Sequence, residues 1–351
     1  VFTVLGLIMA PEFLRWIQTP ADVLENATAY LRLYLLSLIS IVSYNMGSGI
    51  LRALGNTKSP TLYQLAGGIA NIIGNTLFIC FLDWGVQGAA LATACSQGLA
   101  AFLIIRHLCT IKTPYRLRLR QLQINASICG QFLLVGIPAA IQSIVITLSN
   151  LIVQAHINQL GIDSMAAFTA YFKVENFIYL PIMAFGQACS TFTSQNIGAN
   201  QVDRAKQGVK TSLFLGITVT ISASVLTLCF SDFAFGLFSK EPAVIALGTK
   251  IAFVAYPFYF IYVFLEVYAS AIRGAGKALP AMLIVVINMC VVRTCILKVV
   301  LHFYPNALGV AAIYPLTWAC TGLCLFLYYK SGGWFSAQTD VARKRISVGQ
   351  R

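Results

Sequence analysis

Charge is scarce in this sequence. Only 10% of its 351 residues are Asp, Glu, Lys or Arg, against about 25% in an ordinary soluble domain. A chain with so few charges cannot clothe a surface that faces water on all sides. Acid is scarcer than base: 11 Asp and Glu stand against 24 Lys and Arg, with three His. The His residues, His107, His156 and His302, fall at or near the ends of apolar runs and supply no zinc or haem ligand set. The ten Cys form no C-x-x-C pair, and the closest, Cys320 with Cys324 and Cys290 with Cys295, read as small packing residues and not as a disulfide framework. The opening VFTVLGLIMAPEFLRWI has no initiator Met and no charged leader, so it is a poor signal peptide. It reads as the tail of a helix, and the chain is expected to be N-terminally truncated.

What is abundant is apolar length. Hydrophobic residues make up 58% of the chain, and nine runs are long enough to cross a membrane: 31–51, 60–82, 85–105, 129–153, 164–188, 211–231, 242–271, 279–301 and 308–329. Each approaches or exceeds the ~20 residues that span a hydrocarbon core as a helix. In lipid a helix satisfies its own backbone, and these runs are too long and too apolar for barrel strands. The fold class expected is therefore an all-α polytopic membrane protein.

The charges that remain sit between the runs. Arg106, Lys112, Arg116, Arg118 and Arg120 fill one connection, and Arg204, Lys206 and Lys210 another. Arg52 with Lys58, Arg273 with Lys277, and the tail ARKRISVGQR are also basic. The intervening connections carry Asp22 with Glu25, Asp83, Asp163, and Asp232 with Glu241. Basic and non-basic connections alternate, which predicts that every basic one, and the C-terminus, is cytoplasmic. The net charge of +13 is thus a topology signal and implies no nucleic-acid partner.

The chain also repeats itself. Aligning Arg52 of GILRALGNTKSP with Arg273 of SAIRGAGKALP brings Gly55 onto Gly276, and the same offset brings Gly88 of GAA onto Gly309 of GVA. Both arginines end runs that cross in the same direction, so the halves read as parallel repeats. Such repeats are a recurrent plan of secondary transporters, with cargo and ions bound near the repeat interface. Arg52, Gly55, Arg273 and Gly276 are read as a helix-end motif used once per half, the Arg anchoring the end of its span.

The segments GSGILRALGNTKSP, GVQGAALATACSQ, VGIPAAIQS, FGQACSTFTSQNIGANQVDRAKQG and SAIRGAGKALP, in this order and spread over most of the chain, resemble the multidrug and toxic compound extrusion (MATE) transporters. The resemblance implies twelve helices in two six-helix lobes, with both termini cytoplasmic and roughly the first two and a half helices missing here. On that template residues 1–125 are a partial N-terminal lobe, from the end of the third helix to the sixth, with a basic inter-lobe loop. Residues 126–332 are the six-helix C-terminal lobe, and 333–351 a cytoplasmic tail. Some members carry an acid in the seventh helix and another in the tenth. The seventh-helix match PAAIQSIVITLSN has no acid, and the tenth contains Glu266, not clearly at the same turn.

Ionisable groups inside the runs are the natural candidates for chemistry, because a charge at the bilayer centre costs about 2.5–3.5 kcal/mol on the milder scale. Glu266 shares one helix face with Tyr262, Ser270 and Arg273. Its repeat mate is Asn45, so cation chemistry should be asymmetric between the halves. Glu175 and Arg293 fall at similar depth in their spans and are expected to form an ion pair, as structural clasp or proton-sensitive gate, with Lys173 pointing elsewhere. Ser143, Thr147, Asn150 and Gln154 make a neutral polar seam that suits either cation ligation or plain interhelical hydrogen bonding. Pro138, Pro181, Pro257 and Pro315 lie inside runs, where they permit bending. Tyr171, Tyr179, Tyr259 and Tyr262 are candidates for a drug cavity or for packing alone.

Together these features lead us to expect a monomeric antiporter of the plasma (inner) membrane and no enzyme. It would export amphipathic, cationic organic compounds by alternating access, in exchange for Na⁺ or H⁺ bound at Glu266 with or without Glu175, and with no tightly bound cofactor or metal. A lipid-linked saccharide flippase using Arg293 and Lys298 for a lipid phosphate is the alternative. A membrane-embedded enzyme lacks a polar cluster, and an assembly-type fragment is the remaining reading.

Overall fold

A computed structural model describes residues 2–17 and 19–335; the expected tail at 333–351 lies, from residue 336 onward, outside the described residues. All regular structure among the described residues is helical. The helices are α1 (Phe2–Trp16), α2 (Ala21–Ala53), α3 (Lys58–Asn75), α4 (Gly85–Thr110), α5 (Ala126–Gln159), α6 (Ile162–Gly198), α7 (Val202–Cys229), α8 (Ser231–Gly236), α9 (Pro242–Ala255), α10 (Tyr259–Gly274), α11 (Ala278–Val286), α12 (Arg293–Phe303) and α13 (Ala307–Lys330). The chain divides into two compact units between Gln123 and Ile124.

In the first unit α2 and α3 both pack along α4. Its core is small: Leu51 and Ile104 are fully buried, with Tyr44, Ala100 and Leu108 beside them. Tyr44 Oη donates to the carbonyl of Pro60 at 2.8 Å, tying α2 to the start of α3. In the second unit α6 is central, packed against α7, α9 and α10, while α10 packs on α13.

Each of the nine runs is helical, but among the described residues eight segments are both long and apolar enough to cross a membrane. The exception is α6, the expected 164–188 span. At 37 residues it is about 55 Å long, ample to cross, yet Lys173, Glu175 and Asn176 interrupt its apolar pattern. Glu175 is half-buried, whereas Lys173 and Asn176 are exposed. The 242–271 run is likewise one span broken internally, α9 and α10 being joined by a 3₁₀ turn at Tyr256–Phe258 that contains Pro257. Pro138, Pro181 and Pro315 are accommodated within α5, α6 and α13.

The doubled motif ends both helices in the same way. Gly55 and Gly276 have φ of +85° and +82°, the left-handed region where a side chain is disfavoured. After α2, Asn56 N donates to Leu51 O and Gly55 N to Arg52 O; after α10, Lys277 N donates to Ile272 O and Gly276 N to Arg273 O. These are the paired 6→1 and 5→2 bonds of a Schellman cap. Two features were not foreseen: π-helical segments at Thr76–Phe81 and Ile287–Val292. The second continues α11 into α12 and rotates the following residues relative to a uniform helix.

Close packing of α6 on α10 rests on small residues. A Cβ placed on Gly274 would meet the Ser190 carbonyl oxygen at 2.5 Å, and one on Gly186 would meet Glu266 Cγ at 2.8 Å. Backbone cannot yield as a flexible side chain can, so Gly274→Ala is expected to destabilise the protein by about 1–3 kcal/mol through overpacking. Gly136 on α5 has nothing within 4 Å of its added Cβ, and Gly136→Ala should be neutral or stabilising by up to about 1 kcal/mol. Thermal unfolding in detergent compares the two; equal stability of both variants would show that the helices part easily here.

Candidate functional site: a charged and aromatic cavity in the second unit

The second unit holds a half-open cavity of about 680 Å³ between α5, α6, α10, α13 and the π-helical segment leading into α12. The polar seam of α5 faces it: Ser143, Thr147, Asn150 and Gln154 all line the wall. Opposite in character is an aromatic wall. Tyr259 meets Trp318 edge-on at 4.6 Å between centroids, Tyr262 lies 5.3 Å from Trp318, and Tyr179 lies 5.7 Å from Tyr262. Tyr171 does not reach the cavity; it is buried behind Tyr259, its hydroxyl 3.5 Å from that of Tyr259.

Glu266, Ser270 and Arg273 form one interlocked set on α10. Arg273 Nη2 donates to Glu266 Oε1 at 2.9 Å and to Ser270 Oγ at 2.8 Å, and Ser270 Oγ donates to the same carboxylate at 2.8 Å. The shared helix face expected for Glu266, Ser270 and Arg273 thus closes into a set of direct contacts at the span end. The i, i+7 spacing lets a long side chain at the last turn fold back along its own helix, and a buried carboxylate attracts it there. Gly186 on α6 leaves the space in which the Glu266 side chain sits.

The expected Glu175–Arg293 ion pair is not formed among the described residues. Glu175 Oε1 instead accepts from the Tyr259 hydroxyl. Arg293, only 4% exposed, donates through Nη1 to Asn150 Oδ1 at 2.9 Å and through Nη2 to Met289 Sδ at 2.8 Å, and lies over the Tyr314 ring at 5.5 Å. Similar depth in two spans does not bring two side chains together; the rotation of α12 after the π-helical segment aims Arg293 at α5 and α13. Ser149, buried on α5, donates to the Met289 carbonyl in that segment. Lys173 forms no ion pair either and lies over the Phe238 ring at 5.5 Å, away from the cavity. Lys298 is exposed on α12 and takes no part in the lining.

Asn45, the repeat mate of Glu266, is exposed on α2 in the first unit. Arg52 donates to Ser48, one turn back on its own helix, echoing Arg273 on Ser270. Several lining groups were missed from sequence: Gln142, Asn176, Tyr314 and Trp318. Trp318 and Tyr314, one turn apart in the middle of α13, carried a usable signal, because such rings normally gather at the membrane interfaces and not at mid-span.

A polytopic α-helical protein with a cargo-sized, partly charged cavity inside one helical unit belongs to the class of integral membrane transporters. The MatE family model matches residues 1–77 and 138–297, and the chain belongs to that family, the MATE transporters. It is 28% identical over 345 residues to the probable multidrug resistance protein YpnP of Bacillus subtilis (strain 168), covering 95% of this chain and 74% of that protein. It is 26% identical over 259 residues to an FAD transporter of Shewanella oneidensis, covering 71% of this chain and 56% of that one. A crystal structure of a MATE in the straight conformation shares its fold with a TM-score of 0.89 at 20% identity, over 97% of this chain and 76% of the other. The chain is thus a membrane transporter by family.

Proposed function

We propose that this protein exports amphipathic, cationic organic compounds by alternating access, in exchange for inward Na⁺ or H⁺. The observation that carries this reading is the lining of the cavity: an aromatic wall of Tyr179, Tyr259, Tyr262 and Trp318 beside Glu175, a carboxylate bonded to a neutral tyrosine hydroxyl and to no base. Flat rings stack on aromatic side chains and cations are drawn to both ring faces and carboxylate. The names of the relatives, multidrug resistance protein and FAD transporter, agree with organic cargo bearing ring systems.

Coupling follows from competition at Glu175. A proton or Na⁺ arriving at the carboxylate cancels the charge that holds a cationic cargo, so cargo and coupling ion exclude one another. Glu266 is less suited to this exchange than its sequence position suggests, because Arg273 and Ser270 already occupy its Oε1. Alternation of basic and non-basic connections supports a cytoplasmic C-terminus; the plasma (inner) membrane and a monomeric state belong to the same proposal. The flippase reading loses its proposed phosphate groove, since Arg293 and Lys298 do not share a wall of the cavity.

Proteoliposomes containing the full chain test the proposal with tetraphenylphosphonium as cargo. Imposing a Na⁺ or H⁺ gradient should drive its uphill accumulation, and gradient-free vesicles should only equilibrate it. Movement indifferent to both gradients would sink the coupled reading.

A further inference from the structure

Arg293 is the one cavity-lining group whose chemistry the export of cations leaves unused. It is 4% exposed, and burying a guanidinium without an acid is costly. Two carboxylates line the same cavity, yet among the described residues neither makes an ion-pair contact with it: Glu266 is held by Arg273 and Ser270, and Glu175, close enough to feel the Arg293 charge, accepts from Tyr259. The groups that do touch Arg293 are weak substitutes. Asn150 Oδ1 is a neutral acceptor, Met289 Sδ is a thioether, and the Tyr314 ring offers only its face. Its Nε has no hydrogen-bond partner among the described residues. A guanidinium carries five N–H donors in a planar fork matched to carboxylate or phosphate oxygens, and here that fork is under-used beside an organic-sized cavity.

We propose that Arg293 is the docking point for an oxyanion, a carboxylate or phosphate, on the transported molecule. Cargo that carries such a group in addition to its cation directs it at α5 and α12, with its ring system on the Tyr259–Trp318 wall. A molecule that also bears a cation places it at Glu175, so zwitterions satisfy both charges at once. Asn150 holds the guanidinium in place when cargo is absent. The proposal rests on the reading that this cavity is the cargo site, and it specifies the charge that the cargo presents there.

The test uses the purified full chain and a matched pair of probes, 1-naphthaleneacetate and 1-naphthaleneacetamide, followed by calorimetry. They share a ring and differ in charge. Wild-type protein should bind the carboxylate about ten- to a hundredfold more tightly than the amide, as expected for a charge-assisted hydrogen bond. Arg293→Gln should erase that preference by weakening carboxylate binding to the level of the amide in the same variant. Because removing a buried arginine can disturb folding, Asn150→Asp provides a second route. It supplies Arg293 with an internal carboxylate, and should abolish the preference while keeping the guanidinium in place. Equal binding of both probes to wild type, or a preference that survives Asn150→Asp, overturns the proposal alone. Binding of neither probe overturns it together with the assignment of this cavity to cargo.

Discussion

Arg273→Ala will destabilise the protein by about 3–5 kcal/mol, the range found when one partner of a buried ion pair is removed. Glu266 has only 9% of its side chain accessible and Arg273 22%, so loss of the guanidinium leaves a carboxylate with little water to fall back on. The same carboxylate packs against Gly186 of α6, and its repulsion would be felt across the α6–α10 contact. Glu266→Gln with Arg273→Gln in one chain should recover most of the loss, since a neutral amide pair needs no counter-charge. The check is a double-mutant cycle on thermal unfolding in detergent. Single and double variants within about 1 kcal/mol of wild type would place the pair among ordinary surface salt bridges.

Glu175→Gln should weaken binding of tetraphenylphosphonium by about 10–100-fold, the equivalent of about 1.5–3 kcal/mol for a lost charge-assisted contact. It should also flatten the dependence of transport on the driving gradient. The fold should survive, because glutamine still accepts from the Tyr259 hydroxyl that meets Glu175 Oε1. Glu266→Gln offers the contrast: its charge is already matched by Arg273, so its main effect should be on stability and less on affinity. If Glu266→Gln abolishes gradient dependence while Glu175→Gln leaves it intact, the coupling role passes to the α10 carboxylate.

The outline of the fold was readable because lipid leaves a chain few choices. Runs of ~20 apolar residues must be helices, and helical periodicity alone put Tyr262, Glu266, Ser270 and Arg273 on one face and Ser143, Thr147, Asn150 and Gln154 on another. Both faces line or adjoin the cavity. The doubled Arg-x-x-Gly was equally local, and both copies close their helices with the same left-handed glycine. Pairing was the part that periodicity misjudged. The link from Arg293 to Asn150, and not to Glu175, depends on a π-helical segment at Ile287–Val292 that no apolar pattern announces. α6 falls short of the apolarity expected of a span for a related reason: Glu175 and Asn176, two of the polar residues that interrupt it, line the cavity, which is a tertiary placement.

Membrane residence, helical construction, the repeat and the residue types available for cargo recognition are therefore determined by the sequence itself, since each follows from composition and from spacing within single helices. Which charge meets which partner was decided only in the tertiary structure. Arg273 turns inward to Glu266, Glu175 is held by Tyr259, and Arg293 is left with an amide, a thioether and a ring. The physical reason is that ion pairing falls off over a few ångströms, a distance set by helix rotation and side-chain reach and not by order along the chain.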